Sequence, residues 1–88
     1  MNKVVIYSTR VCPYCTRAKQ LLDSKHVAYQ EILIDVEPDK RAEMERLCNR
    51  RSVPQIFINN QHIGGCDDLY ALHHSNQLDA LLNLKQGE

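Results

Sequence analysis

The sequence predicts an α/β fold, a four-stranded mixed sheet flanked by helices in the order βαβ-α-ββα. An apolar run at residues 4–7 precedes a helical pattern, and a second strand-like run follows at residues 27–34. Two short strands joined by Asn59-Asn60 then predict an antiparallel hairpin before the last helices. Such an order places helices on the faces of one sheet, with a right-handed crossover in the first unit.

The first strand and the first helix flank a pair of cysteines. Val4-Val5-Ile6-Tyr7 has no polar gap, which is the pattern of a strand covered on both faces. Pro13 suits the first position of a helix. Residues recur at helical spacing after it, namely Tyr14, Ala18, Leu21, Leu22 and Lys25. The first helix is therefore expected to begin at the cysteine pair.

The rest of the chain divides into short elements. A strand is predicted from Val27 to Ile34, and Pro38-Asp39 opens a second helix with Arg50-Arg51 at its end. One face of this helix is expected to carry Met44, Leu47 and Cys48. Strands follow at residues 55–58 and 61–63, and Gly64-Gly65 separates them from two final helical segments marked by Asp67, Asp68, Leu69, Leu72, Leu78, Leu81 and Leu82.

Length and composition predict a single domain over residues 1–88. Hydrophobic residues make up 43%, and 11 basic side chains balance 11 acidic ones, so nothing indicates a nucleic acid or an anionic membrane as partner. The N-terminus lacks a secretory pattern, and the apolar runs are far shorter than the roughly 20 residues of a membrane span. We therefore expect the protein to stay in the cytoplasm. We also expect it to be a monomer.

The spacing of Cys12 and Cys15 indicates redox chemistry. A bridge between them would close so short a loop that it would stabilise the fold by only about 2 kcal/mol, which makes it a poor structural staple. The same spacing is half of a zinc site, but Cys48 and Cys66 are far apart and His73-His74 are adjacent, so no metal is expected. An inert packing role is the remaining alternative.

The two sulfurs should differ in role. Positions i and i+3 lie on one helix face, so Cys12 and Cys15 are close enough to form a disulfide. At the N-cap, Cys12 would receive backbone amides and the positive end of the helix dipole, which stabilise a thiolate. Cys12 is therefore predicted to be the nucleophile, and Cys15, one turn further in, the resolving thiol.

The chain resembles the glutaredoxins of the dithiol class in three separate elements: Cys12-Pro13-Tyr14-Cys15, Ser52-Val53-Pro54, and Gly64-Gly65-Cys66-Asp67-Asp68. The similarity runs from about Val4 to Leu84, nearly the whole chain. It implies the thioredoxin fold and glutathione as co-substrate. It also implies that disulfide-bonded or glutathionylated proteins are the substrates, reduced through Cys12 and Cys15.

The resemblance also implies a glutathione site. A cis peptide bond is expected before Pro54, with the backbone of Val53 holding the cysteinyl part of glutathione in strand fashion. The γ-glutamyl end would meet the helix start at Gly65, Cys66 and Asp67, chiefly through the Cys66 amide and the Asp67 carboxylate. Basic side chains would face the glycine carboxylate, for which Arg41 and Arg51 match family positions, and Tyr14 would shape the groove beside Cys12.

This sequence departs from the family pattern at two positions. Thr9 stands where the family usually has lysine, with Arg10 as the nearest base, and Ser52 replaces a common threonine. Two alternatives stay open on sequence alone. One is a related redoxin that takes its electrons from thioredoxin reductase, and the other is an iron–sulfur carrier, although Pro13 stands where such carriers usually have glycine.

Overall fold

Residues 3–82 of the chain are described by a computed structural model, and they form one four-stranded sheet. The ends of the predicted 1–88 domain, and Leu84 at the end of the resemblance, lie outside the described residues. The strands are β1 (Val4–Ser8), β2 (Gln30–Leu33), β3 (Gln55–Ile58) and β4 (Gln61–Gly64).

The sheet has the order β2-β1-β3-β4, with β2 parallel to β1 and the other two pairs antiparallel. This confirms the predicted mixed sheet. The helices are α1 (Pro13–Ser24), α2 (Pro38–Cys48), α3 (Cys66–His74) and α4 (Gln77–Leu81). No helix within residues 3–82 has the length and apolar character needed to cross a bilayer.

Alternation along the inner strands creates a core on each face of the sheet. Val4 and Ile6 point to one face and Tyr7 to the other, as the two-residue period of a strand requires. The larger cluster packs against α1, α3 and α4, and its members include Leu22, Ile56, Ile58, Leu69 and Leu78. The second face is covered by α2 through Met44, which packs with Tyr7, Ile32, Ile34 and Phe57.

A hydrogen bond anchors α2 to the sheet as well. The Tyr7 hydroxyl donates to a carboxylate oxygen of Glu43 across 2.7 Å. Burial of the phenol and this bond to Glu43 raise the pKa of Tyr7 well above its usual value. The contact fixes α2 against β1, an inner strand of the sheet.

The β3–β4 hairpin has the geometry that its sequence predicts. Asn59 and Asn60 both have positive φ, 52° and 67°, as the two central residues of a type I′ turn require. Asparagine tolerates this backbone region better than most residues do. The turn brings β4 back beside β3 and leads the chain into α3.

Two predictions about the elements were wrong in detail. β2 begins at Gln30 and not at Val27, because the Val27 amide bonds to the Leu22 carbonyl at 3.2 Å and ends α1. His26, with φ of 57°, takes the left-handed position of this helix end. Leu47 is 54% exposed, whereas Met44 is fully buried, so only part of the predicted apolar face of α2 reaches the core.

Candidate active site

The cysteine pair lies where β1 gives way to α1. Cys12 is the N-cap residue of α1, with Pro13 in the first turn, as predicted. Cys12 and Cys15 are joined by a disulfide, and their Cα atoms are 5.2 Å apart. The spacing of one helical turn therefore lets the bond open and close with little movement of the backbone.

The two sulfurs have different surroundings. Cys15 is only 1% exposed, whereas Cys12 is half-buried and can be reached from solvent. The backbone amide of Cys15 donates to Sγ of Cys12 across 3.1 Å, so the cap uses the sulfur as its acceptor. A helix N-terminus and an amide donor both favour a negative sulfur, which makes Cys12 the better nucleophile.

A groove of about 250 Å³ lies near the cysteine pair, with Tyr14 and Val53 among the residues that line it. It runs between the loop before β3 and the start of α3, and it is lined by Tyr14, Arg50, Ser52, Val53, Pro54, Gln55, Gly65, Cys66, Asp67 and Asp68. The Val53–Pro54 peptide bond is cis, and the Val53 carbonyl oxygen lies 4.0 Å from Sγ of Cys12. Within residues 3–82 the Val53 amide has no hydrogen-bond partner, so this donor is available beside the reactive sulfur.

The start of α3 forms the far wall of the groove. Gly65 is its N-cap, and its amide donates to Asp68 across 3.0 Å. Arg50 lies 3.3 Å from the same carboxylate. The Gly65 amide chiefly, with the Arg50 guanidinium, lowers the pKa of Asp68, so this carboxylate is charged and engaged within the protein.

The neighbouring acid, Asp67, is placed differently. Its side chain is exposed and, within the described part of the chain, makes no hydrogen bond or ion pair. It therefore offers an unused carboxylate at the edge of the groove. Cys66 is 4% exposed, and burial raises the pKa of its thiol, so this residue presents a neutral thiol to the groove.

The structure brings together six of the eight residues expected to bind glutathione. Tyr14, Val53, Pro54, Gly65, Cys66 and Asp67 all line the groove. Arg41 and Arg51 do not line it, and the Arg51 side chain is 82% exposed and directed towards Glu45 at 3.6 Å. Their assignment to the glycine carboxylate stays a prediction.

Sequence reasoning missed other groove residues. Arg50, Gln55 and Asp68 all line the groove. The sequence placed Arg50 at the end of a helix, Gln55 in a strand and Asp68 at the end of the Gly64–Asp68 element, but none of them was assigned to glutathione. The sequence signal that could have identified Arg50 is its position next to Arg51, which had been assigned to the glycine carboxylate of glutathione. Arg10, the nearest base before Cys12 in the sequence, lies 2.9 Å from Asp35, so its guanidinium is paired with a carboxylate and not directed to Cys12.

Among residues 3–82 no group of three or more His, Cys, Asp or Glu side chains is arranged to hold a metal ion. Cys48 is half-buried, with Sγ 3.1 Å from the Met44 carbonyl oxygen, and packs against the second core cluster as expected of a small core residue.

A disulfide pair at a helix N-terminus, with one buried and one accessible sulfur next to an open groove, defines a thiol–disulfide oxidoreductase. A sequence profile described as Glutaredoxin matches residues 4–63. The chain is 55% identical to a glutaredoxin of Pseudomonas aeruginosa over 83 residues, covering 94% of this chain and 99% of that protein. It is 57% identical to glutaredoxin 3 of Escherichia coli K12 over 82 residues, covering 93% and 99%. The chain belongs to the glutaredoxin family.

Solved structures agree with this assignment. A buckwheat glutaredoxin in complex with glutathione superposes with a TM-score of 0.86 at 36% identity, covering 93% of this chain and 77% of that one. The solution structure of a glutaredoxin from Brucella melitensis has a TM-score of 0.80 at 49% identity, covering 98% and 91%. These neighbours confirm the predicted thioredoxin fold.

Proposed function

We propose that this protein reduces protein disulfides and glutathione mixed disulfides with glutathione as its electron donor. The observation that carries the proposal is the unpaired Val53 amide beside Cys12, in a groove that ends at the start of α3. A cysteinyl peptide laid along this segment would add a short strand and place its sulfur next to Cys12. The glutathione complex of the buckwheat relative supports the choice of peptide.

The reaction with a glutathionylated protein takes two exchanges. First, the Cys12 thiolate attacks the glutathione sulfur; a bond forms between them, and the substrate cysteine leaves as a thiolate that takes up a proton. Second, the thiolate of a free glutathione attacks the glutathione held on Cys12. Oxidised glutathione leaves and the Cys12 thiolate returns, so the substrate cysteine is reduced and glutathione is oxidised.

Protein disulfides require both sulfurs. Cys12 attacks one sulfur of the substrate and forms a mixed disulfide with it, releasing the other sulfur as a thiolate. Cys15, whose Cα lies 5.2 Å from that of Cys12, then attacks Sγ of Cys12 and releases the reduced substrate. Two glutathione molecules then reduce the Cys12–Cys15 disulfide in two successive exchanges and leave as oxidised glutathione. Potentials of about −200 to −230 mV for glutaredoxins suit this exchange with a glutathione pool.

The ends of glutathione would be held by charge. The Cys66 amide at the start of α3 would receive the γ-glutamyl carboxylate, and the free carboxylate of Asp67 would receive the γ-glutamyl ammonium. A cation would meet the glycine carboxylate. Arg41 and Arg51 are the residues expected from sequence, and the position of Arg50 in the groove makes it a third candidate.

The proposal extends to the setting in which the protein works. We propose a cytoplasmic monomer, which the similarity to bacterial glutaredoxins supports. Its substrates would be disulfide-bonded or glutathionylated proteins. The accessible side of the pair favours such substrates, because Cys12 is half-buried and the adjacent Val11 is 90% exposed, which leaves the approach to the sulfur open.

A comparison of electron donors tests the proposal. The purified protein would be assayed for reduction of a glutathionylated peptide, with NADPH consumption coupled either to glutathione and glutathione reductase or to thioredoxin reductase alone. Turnover is expected in the first assay only. Turnover with thioredoxin reductase and none with glutathione would assign the protein to the alternative class of redoxin.

A further inference from the structure

Gln55 is a buried polar residue whose contacts the proposed chemistry does not use. It is 1% exposed and is the first residue of β3, one position after Pro54. Its carboxamide nitrogen donates to the Ser52 carbonyl oxygen at 3.0 Å and to the Ser52 hydroxyl at 3.3 Å. A buried carboxamide costs stability unless it is hydrogen-bonded, so these contacts hold both partners in place.

The carboxamide oxygen of Gln55 has a partner on the neighbouring strand. It lies 2.8 Å from Nε2 of His62 in β4. Because the Gln55 nitrogen is already a donor to Ser52, its oxygen is the acceptor here and the hydrogen is on His62 Nε2. Burial chiefly, with Arg50, lowers the pKa of His62, so its ring is neutral near pH 7.

The packing around His62 restrains it further. Its ring centroid is 5.1 Å from that of Phe57, which belongs to the second core cluster. His62 is thus held by the sheet, and through Gln55 it is connected to the loop that forms the groove. The chain of contacts runs from a packed ring, through a buried carboxamide, to Ser52, which is bonded directly to Val53.

We propose that Gln55 and His62 are positioning residues, which fix Ser52 so that the Val53 backbone lies correctly for the peptide part of glutathione. This inference rests on the proposed function. Neither residue reaches Cys12, so the reactivity of that thiol should not depend on them. Their contribution should instead be seen in binding, because a misplaced Val53 amide and carbonyl would lose the strand-like contact.

Three substitutions separate this role from simple loss of stability. His62→Leu removes the N–H that donates to Gln55, and His62→Gln retains an N–H donor at this position. Gln55→Met removes the hydrogen bonds to both Ser52 and His62 while keeping an unbranched side chain. Each variant would be assayed with glutathione and glutathione reductase for KM and kcat. Alkylation of reduced Cys12 by iodoacetamide, followed at that cysteine by mass spectrometry, and thermal unfolding would be measured on the same samples.

The expected result is a KM for glutathione about five- to tenfold higher in His62→Leu and Gln55→Met, from the loss of one or two hydrogen bonds. kcat at saturating glutathione and the Cys12 alkylation rate should stay near wild type. His62→Gln, which retains an N–H donor, should have a KM for glutathione close to that of the wild type. The double variant of Gln55→Met and His62→Leu should have a KM no higher than that of the single variant with the higher KM. Both substitutions interrupt the same series of hydrogen bonds from His62 through Gln55 to Ser52.

Other outcomes would overturn the inference. A KM unchanged in folded His62→Leu would do so, as would equal losses in His62→Leu and His62→Gln or a slower Cys12 alkylation in both. If Gln55→Met does not fold, the two His62 variants decide alone. Wild-type protein that does not turn over with glutathione would instead refute the proposed function, and this result is distinct because it concerns no variant.

Discussion

The Cys15 amide lies 3.1 Å from Sγ of Cys12, in the first turn of α1. Cys15, which we expect to resolve the mixed disulfide, thus also stabilises the Cys12 sulfur through its own backbone amide. Since this donor is a main-chain group, changing the side chain of Cys15 should leave the electrostatic support of Cys12 intact. The two roles of Cys15 can therefore be separated by mutation.

Replacing Cys15 with serine should separate the two reactions. Cys15→Ser is expected to retain most deglutathionylation of a small mixed disulfide and to lose most reduction of a protein disulfide, because only the latter needs an internal thiol. Both rates would be measured with glutathione reductase coupling. Cys48→Ser, which changes a thiol outside the groove, is the control. Equal loss of both activities in Cys15→Ser would contradict the division of roles.

Asp67→Asn should weaken the binding of glutathione with little effect on the stability of the fold. The Asp67 carboxylate is exposed and unpaired within residues 3–82, so its loss leaves no buried group without a partner. If it binds the γ-glutamyl ammonium, removing a charge-assisted contact should raise KM about ten- to a hundredfold. Steady-state kinetics and thermal unfolding on one sample would test this. A variant that melts lower but has a normal KM would remove Asp67 from the site.

Asp68, the adjacent acid, should contribute to the stability of the fold, whereas Asp67 should not. Because its folded pKa is lowered, Asp68 stabilises the fold above its unfolded pKa of about 3.9, and that contribution is lost as pH falls through the lower folded pKa. Asp68→Asn should therefore cost about 1 kcal/mol near pH 7 and much less near pH 3. This cost comes from the hydrogen bond to the Gly65 amide, since the pair with Arg50 is half-exposed and screened by solvent.

Urea unfolding of wild type and Asp68→Asn between pH 7 and pH 3 would measure this difference. Asp67→Asn is the matched control, with the same charge change one residue away. A difference between wild type and Asp68→Asn that stays constant over this pH range would rule out the titration of Asp68 as its source.

The arginines near the groove give a further prediction. Arg50 lines the groove, whereas Arg51 lies towards Glu45 and is largely exposed. Arg50→Gln is therefore expected to raise the KM for glutathione about two- to fivefold, the effect of one partly exposed charge, and Arg51→Gln to raise it less. Arg41→Gln should be measured beside them. A larger defect in Arg51→Gln or Arg41→Gln would support the assignment made from sequence.

Two residues of α2 should differ sharply in their contribution to stability. Met44 is fully buried under the sheet, so Met44→Ala should cost about 2–5 kcal/mol. Leu47 lies one turn away and is 54% exposed, so Leu47→Ala should change the free energy of unfolding by no more than about 0.5 kcal/mol. Chemical denaturation gives both values. A comparable loss at the two positions would mean that Leu47 is covered in solution.

Local features of this protein were determined by the sequence alone. Cys12-Pro13-Tyr14-Cys15 predicted a helix start with two sulfurs on one face, and α1 begins at Pro13 with Cys12 as its cap. Asn59-Asn60 predicted a tight hairpin, and both residues have positive φ. Such features depend on residues within a few positions of each other, where backbone sterics and helical geometry leave few alternatives.

Only the tertiary structure decided which distant side chains meet. The sequence cannot show that Arg50 and not Arg51 faces the groove, because their directions depend on how the chain leaves α2, where Asn49 takes a left-handed backbone. Nor does it show that Gln55 bonds to Ser52 on one side and His62 on the other. These contacts depend on the register of β3 and β4 and on the packing of α2, which arise from the whole core and not from neighbouring residues.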